Sequence, residues 1–352
     1  MSQTEQLPKN NLPVSPGAMG FSIAILLATI LPITLIKLAT QPGILAISVN
    51  FLLAVASAHV FTTFYLLVDR TNVRFILDHP IQLIAMPIGL LLLGMAIFSV
   101  PGNPVFTPAL FLLFLQQTWH FGAQNIGVAT FISLGHRKKS ITKVEKNFIR
   151  MGTICGMFGV LSALYPSFMI GPENVPINET VLTTIKTLHQ IGGYVAIALT
   201  GGALVLMVRA WWAREYFYGA AIFLSITFLF PMYISDNYMI AVASFTIAHG
   251  LQYIIFLAAH SFTNPGAPKN PRWQSWGFIY PPLALLALGG AGHVLWTTAP
   301  AWKSGQFPLF GLSIILGLTL AHFWVDQFMW RMGNSERANW IKKSYSFIFQ
   351  PK

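Results

Sequence analysis

The sequence predicts an all-α fold, a polytopic integral membrane bundle of about ten transmembrane helices with both termini in the cytoplasm. Three observations carry that expectation. Hydrophobic residues make up 55% of the 352 positions and charged residues only 9%, with mean hydropathy +0.62, whereas a soluble domain carries roughly 25% charged residues. Apolar runs of about 20 residues, long enough to cross a bilayer, recur along the whole chain. Basic residues gather at alternate joints between those runs.

Taken in order, residues 1–19 read as a polar cytoplasmic tail with one lysine, Lys9, and no cleavage site of the signal-peptide kind. Spans follow at roughly 20–40, 43–68, 81–100, 105–134, 148–170, 182–208, 216–234, 238–262, 277–297 and 307–330. The first is longer than the 7 to 15 residues of a signal-peptide core and is expected to remain as a helix. Pro42, Pro80, Pro101, Pro104, Pro172, Pro265, Pro281 and Pro300 punctuate the joints, because proline ends a helix and opens a turn. Short joints make neighbouring helices antiparallel. Residues 331–352 form a basic cytoplasmic tail, and no polar stretch is long enough to build a soluble core. One domain, 20–330, is therefore expected between two tails.

Eighteen of the 21 lysines and arginines fall on one side of this arrangement, including the run Arg137, Lys138, Lys139, Lys143, Lys146 and Arg150; Lys37, Lys186 and Lys303 fall on the other. The positive-inside rule places the basic side in the cytoplasm, here of a bacterial inner membrane. The net charge of +11 then follows from topology and anionic lipid headgroups, and no nucleic-acid partner is needed to explain it. Cys155 is the single cysteine, which excludes an intrachain disulfide, a Cys-x-x-Cys pair and a cysteine-rich metal site. No phosphate-binding glycine loop, zinc-protease helix or nucleophile elbow occurs.

The chemistry lies in the spans. His59, His120, His189, His249 and His322 fall in the second, fourth, sixth, eighth and tenth runs, which run parallel to one another. Ionisable side chains at membrane depth are costly and face the bundle interior, where they mark functional sites. Residues three or four apart share a helix face, so His120 with Gln124, His249 with Gln252 and His322 with Asp326 each aim two polar groups in one direction. A carboxylate at a helix centre costs about 2.5 to 3.5 kcal/mol on insertion scales. Asp326 therefore calls for a partner, whether a metal, a histidine N–H, Arg331 or Arg70.

His59, His120, His249 and His322 are the expected metal ligands, with Asp326 and Gln124 as catalytic or supporting groups and His189, His260 and Gln252 as additional candidates. A second grouping, of His59, His260, His322 and Asp326 nearer the basic end, stays open. The bland readings are hydrogen bonds between helices for any single histidine and for both glutamines. An ordinary interfacial ion pair of Asp69 with Arg70, and solvated His79, His136 and His293 at helix ends, belong with them. Several imidazoles with a carboxylate and no cysteine suit non-haem iron, and zinc or copper less specifically. Iron so held can bring O2 to a lipid-soluble substrate that enters from the bilayer, with electrons from a partner protein. Trp119, Phe121, Phe245, Phe323, Trp324, Phe328 and Trp330 are candidates for an apolar channel, or for packing and interface anchors.

The stretch His120-Phe121-Gly122, with single histidines spread over several spans, resembles the bacterial bacteriorhodopsin-related membrane carotenoid dioxygenases. The resemblance implies an iron held by four intramembrane histidines. It covers only these residues: the Pro-His-Gly opening followed by Asp is absent at His59, and Gln124-Asn125 stand where an acidic residue would follow His-Phe-Gly. Two other classes remain. A haem b electron carrier would use histidines from two helices with Gly122, Gly192, Gly193, Gly201, Gly202 and Gly250 making room for the ring. A membrane acyltransferase would use one buried histidine as general base, and His249-Gly250-Leu251 is reminiscent of that group.

Overall fold

The computed structural model describes residues 14–38, 59–100 except 61, 65, 68 and 70, then 105–169, 179–235, 238–263 and 308–349. Among these residues every regular element is helical. They are α1 (Pro16–Leu38), a helical segment carrying 59–67, α2 (Val73–Asp78), α3 (Ile81–Phe98, its first turn π-helical), α4 (Phe106–Arg137), α5 (Lys143–Met169), α6 (Glu179–Trp212), α7 (Tyr216–Thr227), α8 (Pro231–Ile234), α9 (Tyr238–Thr263), α10 (Pro308–Met329), α11 (Ser335–Ser344) and α12 (Ser346–Phe349). Among the described residues, four stretches are long and apolar enough to cross a membrane: Pro16–Thr34, Ile81–Phe98, Glu179–Trp212 and Ile240–His260. The expected span at 277–297 and the first part of 43–68 lie outside the described residues.

Local chemistry sets the boundaries. Between α4 and α5 the chain leaves the helix through Lys138, whose φ of 57° is left-handed. It re-enters at a capping box in which the Thr142 amide donates to Glu145 and the Glu145 amide donates to Thr142 Oγ1. The expected single span at 216–234 is instead broken at 228–230. Pro231 lacks an N–H and its ring crowds the preceding turn, so α7 stops at Thr227 and a short α8 begins at the proline.

In the packing, α1 lies on α9, α3 on α10, α4 on α5 and α7, and α6 on α5 and α7. Glycine sets several of these crossings, α3–α10 and α4–α5 among them. A Cβ on Gly94 of α3 would sit 2.4 Å from the Cα of Gly317 on α10, so these backbones touch in the small-residue manner of membrane helix pairs. A Cβ on Gly122 of α4 would sit 2.0 Å from Thr153 Oγ1 of α5. Gly317 lies five residues before His322, and Gly122 two after His120.

The C-terminal stretch, read from the sequence as a basic tail, folds against the bundle over its described residues. Asn334 caps α11 by accepting from the Arg337 amide, and one face of α11 with its continuation buries Arg337, Ile341, Tyr345 and Ile348 under the bundle. Apolar side chains spaced three to four apart among the lysines gave this segment an amphipathic face, which the net charge obscured. Arg337 donates to the Met329 carbonyl and to Asn72 Oδ1 and lies over the Trp340 ring at 4.0 Å; burial lowers its pKa to about 10. Ser15 donates to the Phe347 carbonyl, Lys138 to the Ile348 carbonyl, and Ser22 shares a hydrogen bond with His136, which also stacks on Phe217. His136 is thus a structural tie between helices where a solvated residue was expected. These contacts gather both ends of the described chain and the basic joint after α4 at one end of the bundle.

Candidate metal centre

Four histidines from four helices meet inside the bundle. His59 from the 59–67 segment, His120 from α4, His249 from α9 and His322 from α10 each bring a ring nitrogen within 4.8 Å of all the others. His59 Nε2 lies 2.8 Å from His322 Nε2 and 3.1 Å from His249 Nε2. The rings meet edge to edge: His59 stands at 90° to His322 and 87° to His249, with centroids 4.4 and 4.6 Å apart. Imidazoles packed for apolar contact would turn their carbon edges inward; these turn nitrogens. His59, His249 and His322 are buried, and the His120 side chain keeps 12% exposure.

The donor set fits one metal ion. In a square or octahedral set, nitrogen ligands at about 2.1 Å from a metal stand about 3.0 Å apart when adjacent and about 4.2 Å apart when opposite. The two measured edges match adjacent positions, and the widest pair must draw in by several tenths of an ångström. Depth follows from helix rise: His249 precedes His260 by 11 residues and His322 precedes Met329 by seven, so the cluster lies about 10 to 16 Å from the basic end. Apolar walls enclose it, with the Phe121 ring 4.2 Å from His249 and the Phe323 ring 4.8 Å from His120.

Asp326 stands beside this cluster and belongs to a polar network. Tyr253 Oη donates to its Oδ1 at 2.8 Å, and Thr63 Oγ1 lies 3.2 Å from the same oxygen. Its Oδ2 is 3.6 Å from His120 Nε2 and 3.7 Å from His322 Nδ1, too far for hydrogen bonds. Thr63 Oγ1 is 2.7 Å from His322 Nδ1 and 2.7 Å from Tyr253 Oη. Arg331 is exposed, and among the described residues no lysine or arginine pairs with Asp326. Its compensation is the hydroxyls of Tyr253 and Thr63.

The other candidates go elsewhere. The Gln124 amide donates to the His249 carbonyl and to Gln252 Oε1, and Gln252 donates to Thr29 on α1, so both glutamines tie helices together. His260 pairs with Asp69 at 2.7 Å and packs against Trp340; it is not in the four-histidine group. Burial opposes the Asp69 charge, but His260 and Thr71 more than offset it and hold the carboxyl below its usual 3.8. His189 lies on α6 beside the Tyr233 ring in a groove of about 360 Å³, apart from the cluster. His79 accepts its place at the end of α2 through a contact of Nδ1 with the Phe75 carbonyl. Arg70 and His293 lie outside the described residues. Of the aromatic candidates, Phe121, Phe245 and Phe323 are buried near the cluster, whereas Trp119 is exposed and Trp324 donates to the Gln82 carbonyl.

Sequence reasoning missed Thr63 and Tyr253, yet a signal for both was present. Thr63, Gln124, Tyr253 and Asp326 each lie four residues after one of the four clustered histidines, one turn further along the same helix face. His189 has Gly193 at that position. No family model, curated protein or solved structure matches the chain.

Proposed function

We propose that this protein is a bacterial inner-membrane oxidoreductase or oxygenase that holds non-haem iron on His59, His120, His249 and His322 and acts on a hydrophobic, lipid-soluble substrate. In this reading the bundle has ten spans and both termini are cytoplasmic. The observation that carries it is the convergence of four imidazole nitrogens within 4.8 Å in the apolar interior, with no thiolate in reach. Imidazole and carboxylate sets favour iron over soft-ligand metals, with zinc and copper as competitors. Bound there, iron supplies O2 chemistry to a substrate alongside it. The protein's own part is to fix the four rings, to exclude bulk water through Phe121 and Phe323, and to leave His120 as the least buried ligand, the side on which an apolar molecule approaches.

Edges of 2.8 and 3.1 Å support a single ion over haem, whose axial imidazoles face each other across a macrocycle. Four convergent nitrogens likewise exceed what a general base in an acyltransferase needs. Metal analysis and an absorption spectrum of purified full chain test the proposal. About one iron per chain without a Soret band is expected; a Soret band establishes the haem reading, and metal-free, colourless protein that takes up no added Fe(II) overturns both.

A further inference from the structure

We infer that Thr63, Tyr253 and Asp326 form a one-way hydrogen-bond chain that fixes the proton of His322 on Nδ1 and so leaves Nε2 free to bind metal. The inference rests on the reading of the four histidines as a metal site. It comes from counting protons. Three short contacts link the groups in series: His322 Nδ1 to Thr63 Oγ1 at 2.7 Å, Thr63 Oγ1 to Tyr253 Oη at 2.7 Å, and Tyr253 Oη to Asp326 Oδ1 at 2.8 Å. Threonine and tyrosine hydroxyls each have one proton to give, and the Asp326 oxygen that faces Tyr253, Oδ1, accepts. If Tyr253 donates to Asp326, its oxygen is open to the Thr63 hydroxyl, and the Thr63 oxygen is then open to accept from His322. With the carboxylate as terminal acceptor, this order satisfies all three contacts, and a Thr63 hydroxyl turned directly to Asp326 Oδ1, 3.2 Å away, leaves the Thr63 oxygen equally open to His322.

The alternative order has Thr63 donating to His322 Nδ1. That would put the ring proton on Nε2, facing His59 Nε2 at 2.8 Å, and a protonated nitrogen cannot ligate. The chain thus selects between a metal-competent and a metal-incompetent tautomer. Asp326 acts on His322 through Thr63, which it reaches directly and by way of Tyr253, and is a positioning residue. Partners of this kind set the orientation of ligating histidines, and their loss weakens metal binding roughly 10- to 100-fold.

The test uses purified full chain in detergent with Co(II) as the probe. Thr63→Val, Tyr253→Phe and Asp326→Asn should each raise the Co(II) Kd by roughly 10- to 100-fold. Because the groups act in series, the double variant Thr63→Val with Asp326→Asn should be no worse than the weaker single, whereas independent packing defects add. Thr63→Ser, which keeps the hydroxyl, should restore affinity. In parallel, nitrogen NMR of histidine-labelled, metal-free protein should show His322 protonated on Nδ1, and Thr63→Val should abolish that preference.

A His322 proton on Nε2 in the wild type, or unchanged tautomer and Co(II) affinity in Tyr253→Phe and Asp326→Asn, overturns the chain. Nδ1 protonation that depends on Thr63 in a protein that binds no Co(II) would keep the chain and remove the metal reading. Tyr253→Phe and Thr63→Ser preserve shape, so the outcome does not hinge on a variant that fails to fold.

Discussion

Replacing Gly122 with alanine should damage both the fold and the site, by an amount the geometry allows to be worked out. The added Cβ would lie 2.0 Å from Thr153 Oγ1, 2.5 Å from its Cγ2 and 2.7 Å from its Cβ. Carbon atoms in contact stand about 3.5 to 4.0 Å apart. Rotating Thr153 can move its outer atoms, at the expense of its hydrogen bond to the Ile149 carbonyl, but no rotation moves its Cβ. Helices α4 and α5 must therefore part by about 1 Å, and overpacking of this kind costs about 1 to 3 kcal/mol. The displacement falls two residues from His120 and exceeds the roughly 0.2 Å tolerance of metal–ligand distances. Thr153→Gly removes the obstacle for about 0.3 kcal/mol of helix propensity, the difference between threonine and glycine. The double variant should thus be more stable than Gly122→Ala alone, with a coupling energy of about 1 to 3 kcal/mol. Reversible unfolding in mixed micelles measures the cycle, and Co(II) affinity measures the site. A Gly122→Ala protein with wild-type stability, or one that Thr153→Gly does not relieve, would refute the close α4–α5 crossing.

Alanine at His59, His120, His249 or His322 should lower bound iron sharply, whereas His189→Ala, whose ring lies beside Tyr233 outside the cluster, should leave iron per chain unchanged in metal analysis. A reporter fused after Lys352 or inserted near Lys138 should read cytoplasmic, and one near Asn174 or Asn237 external; a periplasmic C-terminus would break the span count. Arg337→Ala removes two charge-assisted hydrogen bonds, to Met329 and Asn72, and should destabilise the protein by about 2 to 4 kcal/mol in the same unfolding assay. Asp69 is held below its usual value of 3.8, so its contribution is fully present above that pH and is lost as pH falls through the lower folded value. Asp69→Asn should accordingly flatten the acid limb of the stability profile, and an unchanged limb would show that the His260 pair contributes nothing there.

The fold and the site differ in how much of each the chain reveals before folding is known. Helical character follows directly from composition, since backbone polar groups in hydrocarbon must be satisfied within the segment. The break before Pro231 and the docking of α11 were hidden because local signals were outvoted, in one case by a long apolar run and in the other by net charge. The four histidines were legible as a set because each was the expensive residue in its span. Which of the deeper and shallower histidines converge was not legible, since His260 shares a face with His249 and only its partner Asp69, just past the 59–67 segment, shows that it is engaged elsewhere. Thr63 and Tyr253 escaped because threonine and tyrosine are cheap in a membrane. Their meaning emerges only beside the repeated spacing of four.

That spacing suggests how the fold and the site depend on each other. Three buried imidazoles, a fourth nearly so and a carboxylate would burden an apolar bundle if any were left unpaired, because each unsatisfied group in a low dielectric costs several kcal/mol. Placing the second polar residue one turn after each histidine lets a helix offer an oxygen or a donor to its neighbours, as Thr63 does to His322 and Tyr253 to Asp326. A helix that docks correctly then brings both layers at once, nitrogens to the centre and oxygens about 6 Å further along. Thr63, Tyr253 and Asp326 meet in that second layer, while Gln124 closes it against α9 and, through Gln252, against α1. Misregister by one residue on any of these helices would rotate both layers away together. The polar pattern therefore specifies the helix register as strongly as the glycine crossings do, and an ion bound by four helices would add its binding energy to the same arrangement.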